Sequence, residues 1–178
     1  MQQLEVGRHE VQWRQRISRT EGLFAGVAFT APIRRTRMWQ RATAYTDIGR
    51  TIPGVLAVQY LERRPERQVI QVDLKVLWRT LRLTFEVEQE APNAIRFQLI
   101  HQYVGEYRGL CVFEELPSAS ADGARSAATR VNLTTWYQPS RPVPLRLLLL
   151  VERIALLQGI ESFLASCESS EEAVAPVR

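Results

Sequence analysis

The feature that most constrains the fold is a series of segments in which apolar and polar residues alternate. Ile70, Val72 and Leu74 alternate with polar residues, and four later segments repeat this pattern. Such alternation is typical of a β-strand with one buried and one solvated face. Consecutive strands joined by short turns pair antiparallel. Strands are predicted over residues 17–30, 55–62, 68–76, 79–89, 95–103, 107–114 and 129–135.

Helical patterns lie on both sides of this series. Pro32 suits the first turn of a helix over residues 33–44, and a short helical piece over 47–51 ends at Pro53-Gly54. The apolar spacing over 145–167 predicts one long helix. This helix must cover the apolar face of the sheet. We expect an α+β arrangement: a curved antiparallel sheet of six to seven strands wrapped around a long C-terminal helix, with two short helices after the first strand.

The domain organisation follows from the same reading. Residues 17–167 form the predicted domain, 1–16 a tail or an extra strand, and 168–178 a disordered acidic tail. A chain of 178 residues is long enough for one core without disulfides or metal. The cysteines, Cys111 and Cys167, form no metal-binding spacing and fit a reducing compartment. The sequence has no signal-like apolar region, which predicts a cytoplasmic protein, with membrane association left open.

The charge pattern bears on partners. Lys plus Arg number 23 and Asp plus Glu 19, and Lys75 is the only lysine. Arginine-rich surfaces can meet phosphate or anionic lipid, but most of these charges are scattered among acids. We expect no nucleic-acid partner. No phosphate-binding loop, metal-ligand spacing or Ser/His/Asp set predicts a cofactor or a metal.

A single helix laid across a curled sheet leaves space, so the sequence predicts a cavity for a small hydrophobic ligand. Side chains on inward registers should line it. The polar or reactive candidates are His101, Tyr103, Tyr107, Cys111, Thr135 and Glu152, and the apolar ones are Phe85, Phe97, Leu99, Leu149 and Leu156.

Glu152 lies within the apolar stripe of the last helix, where an unpartnered carboxylate costs several kcal/mol or more. It is either a polar anchor or acid/base group in the cavity, or one half of an ion pair at the rim. His101 is either a base for enolisation or an ordinary core or rim residue. Cys111 is better explained as a small core residue than as a nucleophile.

The last helix has more apolar residues than one stripe needs. Its outer face should meet a partner subunit, a membrane interface or the N-terminal segment. Neighbouring arginines would favour anionic lipid. The extra apolar residues are Leu147, Leu150, Val151, Ile154 and Leu157, and the arginines are Arg141, Arg146 and Arg153.

Several motifs resemble the polyketide cyclase/dehydrase and coenzyme-Q-binding branch of the START-like (SRPBCC, helix-grip) superfamily. They are Ala31-Pro32, Met38-Trp39, Thr43, Tyr45, Ile52-Pro53-Gly54, the segment 105–113 and Thr129-Arg130-Val131. Ala44 stands where the family usually has aspartate, so any role of that carboxylate is absent. The resemblance implies a cavity for lipids, quinones, polyketides or plant hormones, in a family of which only some members are enzymes.

Three functions stay open from sequence. The first is a carrier or binding protein for a lipid, a quinone or a polyketide-like molecule. The second is a polyketide-type aromatase/cyclase or dehydratase with His101, Tyr103 and Glu152 as acid/base groups. The third is a protein–protein interaction module that uses the outer face of the last helix, with a homodimer through this helix as one option.

Overall fold

The computed structural model describes residues 2–6, 9–18, 22–76, 78–100, 105–117, 127–141 and 144–172. Within them, one antiparallel sheet has the strand order β1-β2-β3-β9-β8-β7-β6-β5-β4. The strands are β1 Gln2–Val6, β2 His9–Ser18, β3 Gly22–Ala31, β4 Val55–Arg63, β5 Arg67–Val76, β6 Arg79–Glu90, β7 Ala94–Leu99, β8 Gly105–Pro117 and β9 Ala127–Pro139. The helices are α1 Arg35–Thr43, α2 Tyr45–Thr51 and α3 Leu145–Glu172.

The curved antiparallel sheet and the long C-terminal helix agree with the predicted helix-grip fold, but the predicted strand number was too low. The described sheet has nine strands, because β1 and β2 extend it beyond β3. The predicted strand over 17–30 was also wrong at its start, since Ile17 ends β2 together with Ser18. Val11 and Trp13 of β2 are fully buried, opposite Phe29 and Val27 of β3.

The two short helices close one part of the concave face. Met38 and Trp39 of α1 are buried, and the Trp39 ring meets Phe113 of β8 edge-on at 5.7 Å between centroids. The Thr129 hydroxyl donates a 2.6 Å hydrogen bond to the Ile33 carbonyl oxygen, which ties the chain before α1 to β9. These contacts hold α1 against β8 and β9.

The helix α3 has two unlike halves. Its second half is packed into the core through Ile160, Phe163, Leu164 and Cys167. It continues to Glu172, past the predicted boundary at Cys167, so residues 168–172 are helical and not part of a disordered tail. Its first half has an outer face on which Leu150, Val151 and Ile154 are about half exposed. Within the described residues, none of the helices combines the length and apolar character of a bilayer-spanning segment.

The concave face of the sheet also has two unlike halves. On β3 and the first half of β2, the inward side chains are buried, from Val11 and Trp13 to Phe29 and Ala31. On β4 to β8, many inward side chains keep accessible surface. Interiors are normally close-packed, so this difference indicates space between β4–β8 and the first half of α3, which we call the hollow. The partly accessible side chains are Val58, Tyr60, Val72, Leu74, Leu81, Leu83, Phe85, Phe97, Tyr107 and Cys111.

Candidate functional site

The hollow contains a buried carboxyl group, that of Glu152 on α3. The Thr135 hydroxyl of β9 donates a 2.6 Å hydrogen bond to Glu152 Oε1. The cross-strand neighbours of Thr135 are Ala25 and Gly109, whose small size leaves room for the carboxyl group to approach the sheet. Glu152 Oε2 is buried and has no hydrogen-bond partner among the described residues. One carboxyl oxygen is therefore held by Thr135, and the other has no hydrogen-bond partner among the described residues.

An aromatic wall stands beside this carboxyl group. The rings of Phe85, Phe97 and Tyr107 contact one another with centroids 6.0–6.4 Å apart, and Tyr107 also contacts Tyr137 at 6.0 Å. The Phe97 ring lies across Gly109, where a Cβ atom would come within 2.1 Å of it. The missing side chain at Gly109 thus allows the Phe97 ring to pack directly against β8.

Burial changes the acid–base chemistry of these groups. Desolvation raises the pKa of Glu152, and the hydrogen bond from Thr135 lowers it by less. Desolvation also raises the pKa of Tyr107, and the nearby charge of Glu152 raises it further. A hydrogen bond with Thr135 lowers it by less. Glu152, Thr135 and Tyr107 therefore form one coupled polar group in an otherwise apolar region.

The structure brings Phe85, Phe97, Tyr107, Thr135 and Glu152 together, five of the residues predicted to line the cavity. Leu99 is buried opposite Phe85, and Leu149 is buried one turn before Glu152. Leu156 packs against the core one turn after it. His101 and Tyr103 lie outside the described residues.

Cys111 faces inward between Ile95 and Leu133. Burial raises the pKa of its thiol to about 12, so the thiolate nucleophile is scarce at neutral pH. Tyr137 was missed as a candidate, although it continues the inward register two residues after Thr135. A further hydrogen-bonded pair was not predicted from sequence. The amide of Gln89 on β6 donates a 2.8 Å hydrogen bond to the Tyr45 hydroxyl.

The described residues contain no group of three or more His, Cys, Asp or Glu side chains arranged as metal ligands. Among the described residues, the polar groups around Glu152 include its own carboxyl group and the hydroxyl groups of Thr135, Tyr107 and Tyr137. They suit hydrogen bonding to a ligand oxygen and proton transfer at Glu152.

A second depression, of about 500 Å³, lies on the outer face of the sheet across β3, β9, β8, β7 and β6. Arg108 stacks on the Trp136 ring there, with its guanidinium carbon 4.3 Å from the ring centroid. Glu86, Glu88 and Arg96 also line it, so its charges are mixed. The depression is an open groove, in contrast to the buried carboxyl site.

The chain matches no protein-family model and no curated protein by sequence. Its fold, however, is shared with solved structures. The Zhui aromatase/cyclase from a Streptomyces species superposes with a TM-score of 0.70 at 13% identity, covering 94% of this chain and 99% of the other. A STAR-related lipid transfer protein from Xanthomonas axonopodis superposes with a TM-score of 0.66 at 11% identity, covering 89% and 93%. A START superfamily protein from Mycobacterium smegmatis gives 0.66 at 12% identity, covering 82% and 97%.

These comparisons establish the fold of the chain and not its function. The chain has the START-like helix-grip fold that lipid transfer proteins and polyketide aromatase/cyclases share. One fold hosts many functions, so the site has to carry any argument about what the protein does.

Proposed function

We propose that this chain is a carrier or binding protein for a small hydrophobic ligand that lies in the hollow with one polar group at Glu152. The observation that supports this most is the buried Glu152 Oε2 atom, which lacks a partner among the described residues. A buried carboxyl oxygen without a hydrogen bond is costly. A ligand hydroxyl would satisfy it, and the protonated carboxyl could donate to a ligand carbonyl.

The ligand class follows from the surroundings of the carboxyl group. Phe85, Phe97 and the aliphatic residues of α3 offer an apolar surface, and the polar groups converge at one place. Ligand pockets commonly combine a mostly apolar lining with a few placed polar groups. Lipids, quinones of the coenzyme-Q type and polyketide-like chains all have a long apolar body and few oxygens.

Native mass spectrometry of protein purified from cells tests this proposal. We expect a copurifying apolar molecule, and a smaller bound fraction in Glu152→Ala. Glu161→Ala is the matched control, because Glu161 is an exposed acid on the same helix. The proposal fails if no molecule copurifies and the protein binds nothing from panels of lipids and isoprenoid quinones.

A second function, a polyketide-type cyclase or dehydratase, is favoured by the pairing of Glu152 with Tyr107. A carboxylate with a raised pKa can take a proton from a carbon beside a carbonyl group. The Tyr107 hydroxyl could then donate a hydrogen bond to the carbonyl oxygen. Turnover of a polyketide-like chain should fall in both Glu152→Gln and Tyr107→Phe, and an unchanged rate in both variants would contradict this function.

A further inference from the structure

Several strands begin or end at one end of the sheet, which we call the upper end. They are the ends of β2, β5, β7 and β9 and the starts of β3, β4, β6 and β8. The register places them together, because Ser18 pairs with Gly22, Leu23 with Tyr137, and Gly105 with Pro139. Phe97 of β7 pairs with Gly109 of β8, and Phe85 of β6 pairs with Leu99 of β7. The end of β7 and the start of β6 therefore also lie at the upper end.

Exposed apolar side chains concentrate at this upper end. Trp78, in the β5–β6 turn, is 82% exposed, and Leu56, near the start of β4, is 58% exposed. Exposed large apolar side chains that gather at one end of a protein indicate an interaction site. Among the described residues, every exposed large apolar side chain except Leu61 lies at the upper end or on the first three turns of α3: Ile17, Phe24, Leu56, Trp78, Ile100, Leu150, Val151 and Ile154.

The charges beside this surface are mainly positive. In α3 the only acid before Glu161 is Glu152, which turns inward to Thr135. The outer face of these turns is therefore flanked only by cations. Trp78 lies between Lys75 and Arg79 in the chain, and both are exposed. Among the described residues of this region, the exposed cations are Arg16, Arg50, Lys75, Arg79, Arg141 and Arg146, and the exposed acids are Asp47 and Glu106.

We propose that the upper end docks on the surface of an anionic lipid bilayer, with Trp78 and the outer face of α3 entering the interface. Tryptophan favours the headgroup level, and each nearby arginine or lysine adds attraction to anionic lipid. A symmetric dimer through this surface would bring like charges together, which argues against a second copy as the occupant. Docking places the first turns of α3, and so the region of Glu152, beside the membrane.

Vesicle flotation tests the docking. The protein should float with phosphatidylcholine vesicles that contain phosphatidylserine, and much less with phosphatidylcholine alone or at high salt. Leu56→Asp should weaken binding roughly tenfold or more. Leu61→Asp is the matched control on the same strand, because Leu61 is 55% exposed but lies away from the upper end. Arg146→Gln with Arg153→Gln should lower binding about fivefold for each charge removed.

Glu152→Gln separates this inference from the proposed ligand function. The variant should change ligand retention and leave flotation unchanged, since Glu152 faces the hollow. Flotation that is equal on neutral and anionic vesicles, or an equal loss in Leu56→Asp and Leu61→Asp, would overturn the docking. A stable dimer in light scattering that Leu56→Asp dissociates, without vesicle binding, would also overturn it.

Discussion

At the Glu152 carboxyl group, folding and acid–base chemistry are linked. Because burial raises its pKa in the folded chain, the folded state favours the protonated form. The native protein therefore has its full stability below the ordinary pKa of glutamate and loses part of it as the pH rises through the folded-state pKa. Above that pH the loss is complete and constant.

Glu152→Gln should remove this loss. The amide keeps the size of the side chain and can still accept from Thr135. At neutral pH the variant should be more stable than the native chain, by about 1.4 kcal/mol for each unit by which the pKa is raised. Urea unfolding between about pH 4 and pH 8 measures the difference. Stability curves that stay parallel across this range would contradict the raised pKa, and Glu161→Gln serves as the exposed control.

Thr129 makes a separate prediction at the residue scale. Its hydroxyl is fully buried and is bonded to the Ile33 carbonyl at 2.6 Å. Thr129→Val keeps the volume but leaves that carbonyl without this donor, which should cost about 1–3 kcal/mol. Thr129→Ser keeps the hydroxyl and should cost less in chemical unfolding. If Val is tolerated better than Ser, packing and not the hydrogen bond holds this contact.

Strands and helices were predictable from the sequence where the periodic pattern of apolar residues extends over many positions. Alternation placed β5, β6 and β9 and the inward registers of Phe85 and Thr135, and the helical period placed Glu152 on the inner stripe. The hydrogen bond between Thr135 and Glu152 was not predicted. This contact depends on where α3 lies relative to the sheet, which the local periodicity of the sequence does not encode.

Two glycines test how the helices approach the sheet. A Cβ atom on Gly49 of α2 would come within 2.3 Å of Val58 Cγ2 on β4, whereas one on Gly159 of α3 would meet nothing within 4 Å. Gly49→Ala should destabilise by roughly 1–3 kcal/mol, because valine is stiff and cannot turn away freely. Gly159→Ala should stabilise by roughly 0.5–1 kcal/mol through helix propensity. Thermal unfolding of both variants gives the comparison, and equal effects would contradict the close approach of α2.

On the scale of the whole molecule, the largest error of prediction concerned the first part of the chain. In β2 only Val11 and Trp13 are buried, and residues 14–17 are exposed, so too few positions alternate to give a strand signal. The strand forms because β3 offers an edge and an apolar face, which is a tertiary cause. The predicted end of α3 was too early for a related reason. Residues 168–172 are polar and lack the apolar periodicity that identified the rest of the helix.

The burial of Trp13 implies that β1 and β2 belong to the same cooperative unit as the rest of the sheet. Trp13 is 1% exposed and packs in one core cluster with Val27, Phe29 and the α3 residue Cys167. A chain starting at Gly22 would expose the β3 edge and the inward faces of Val27 and Phe29. Trp13→Ala in the full chain should therefore cost about 3–5 kcal/mol. Removing residues 1–21 should abolish cooperative unfolding in calorimetry.

The polar side of the same strand provides the control. Arg14 of β2 is exposed, so Arg14→Ala should leave the unfolding midpoint nearly unchanged. A truncated chain that unfolds at the same midpoint as the full chain would mean that β1 and β2 are accessory strands, and that the core is complete between β3 and α3. The contact of His9 with Glu168, 3.1 Å across the two ends of the described chain, favours the opposite result. It joins the β1–β2 hairpin to the last turns of α3, so loss of the hairpin should also loosen the helix that covers the sheet.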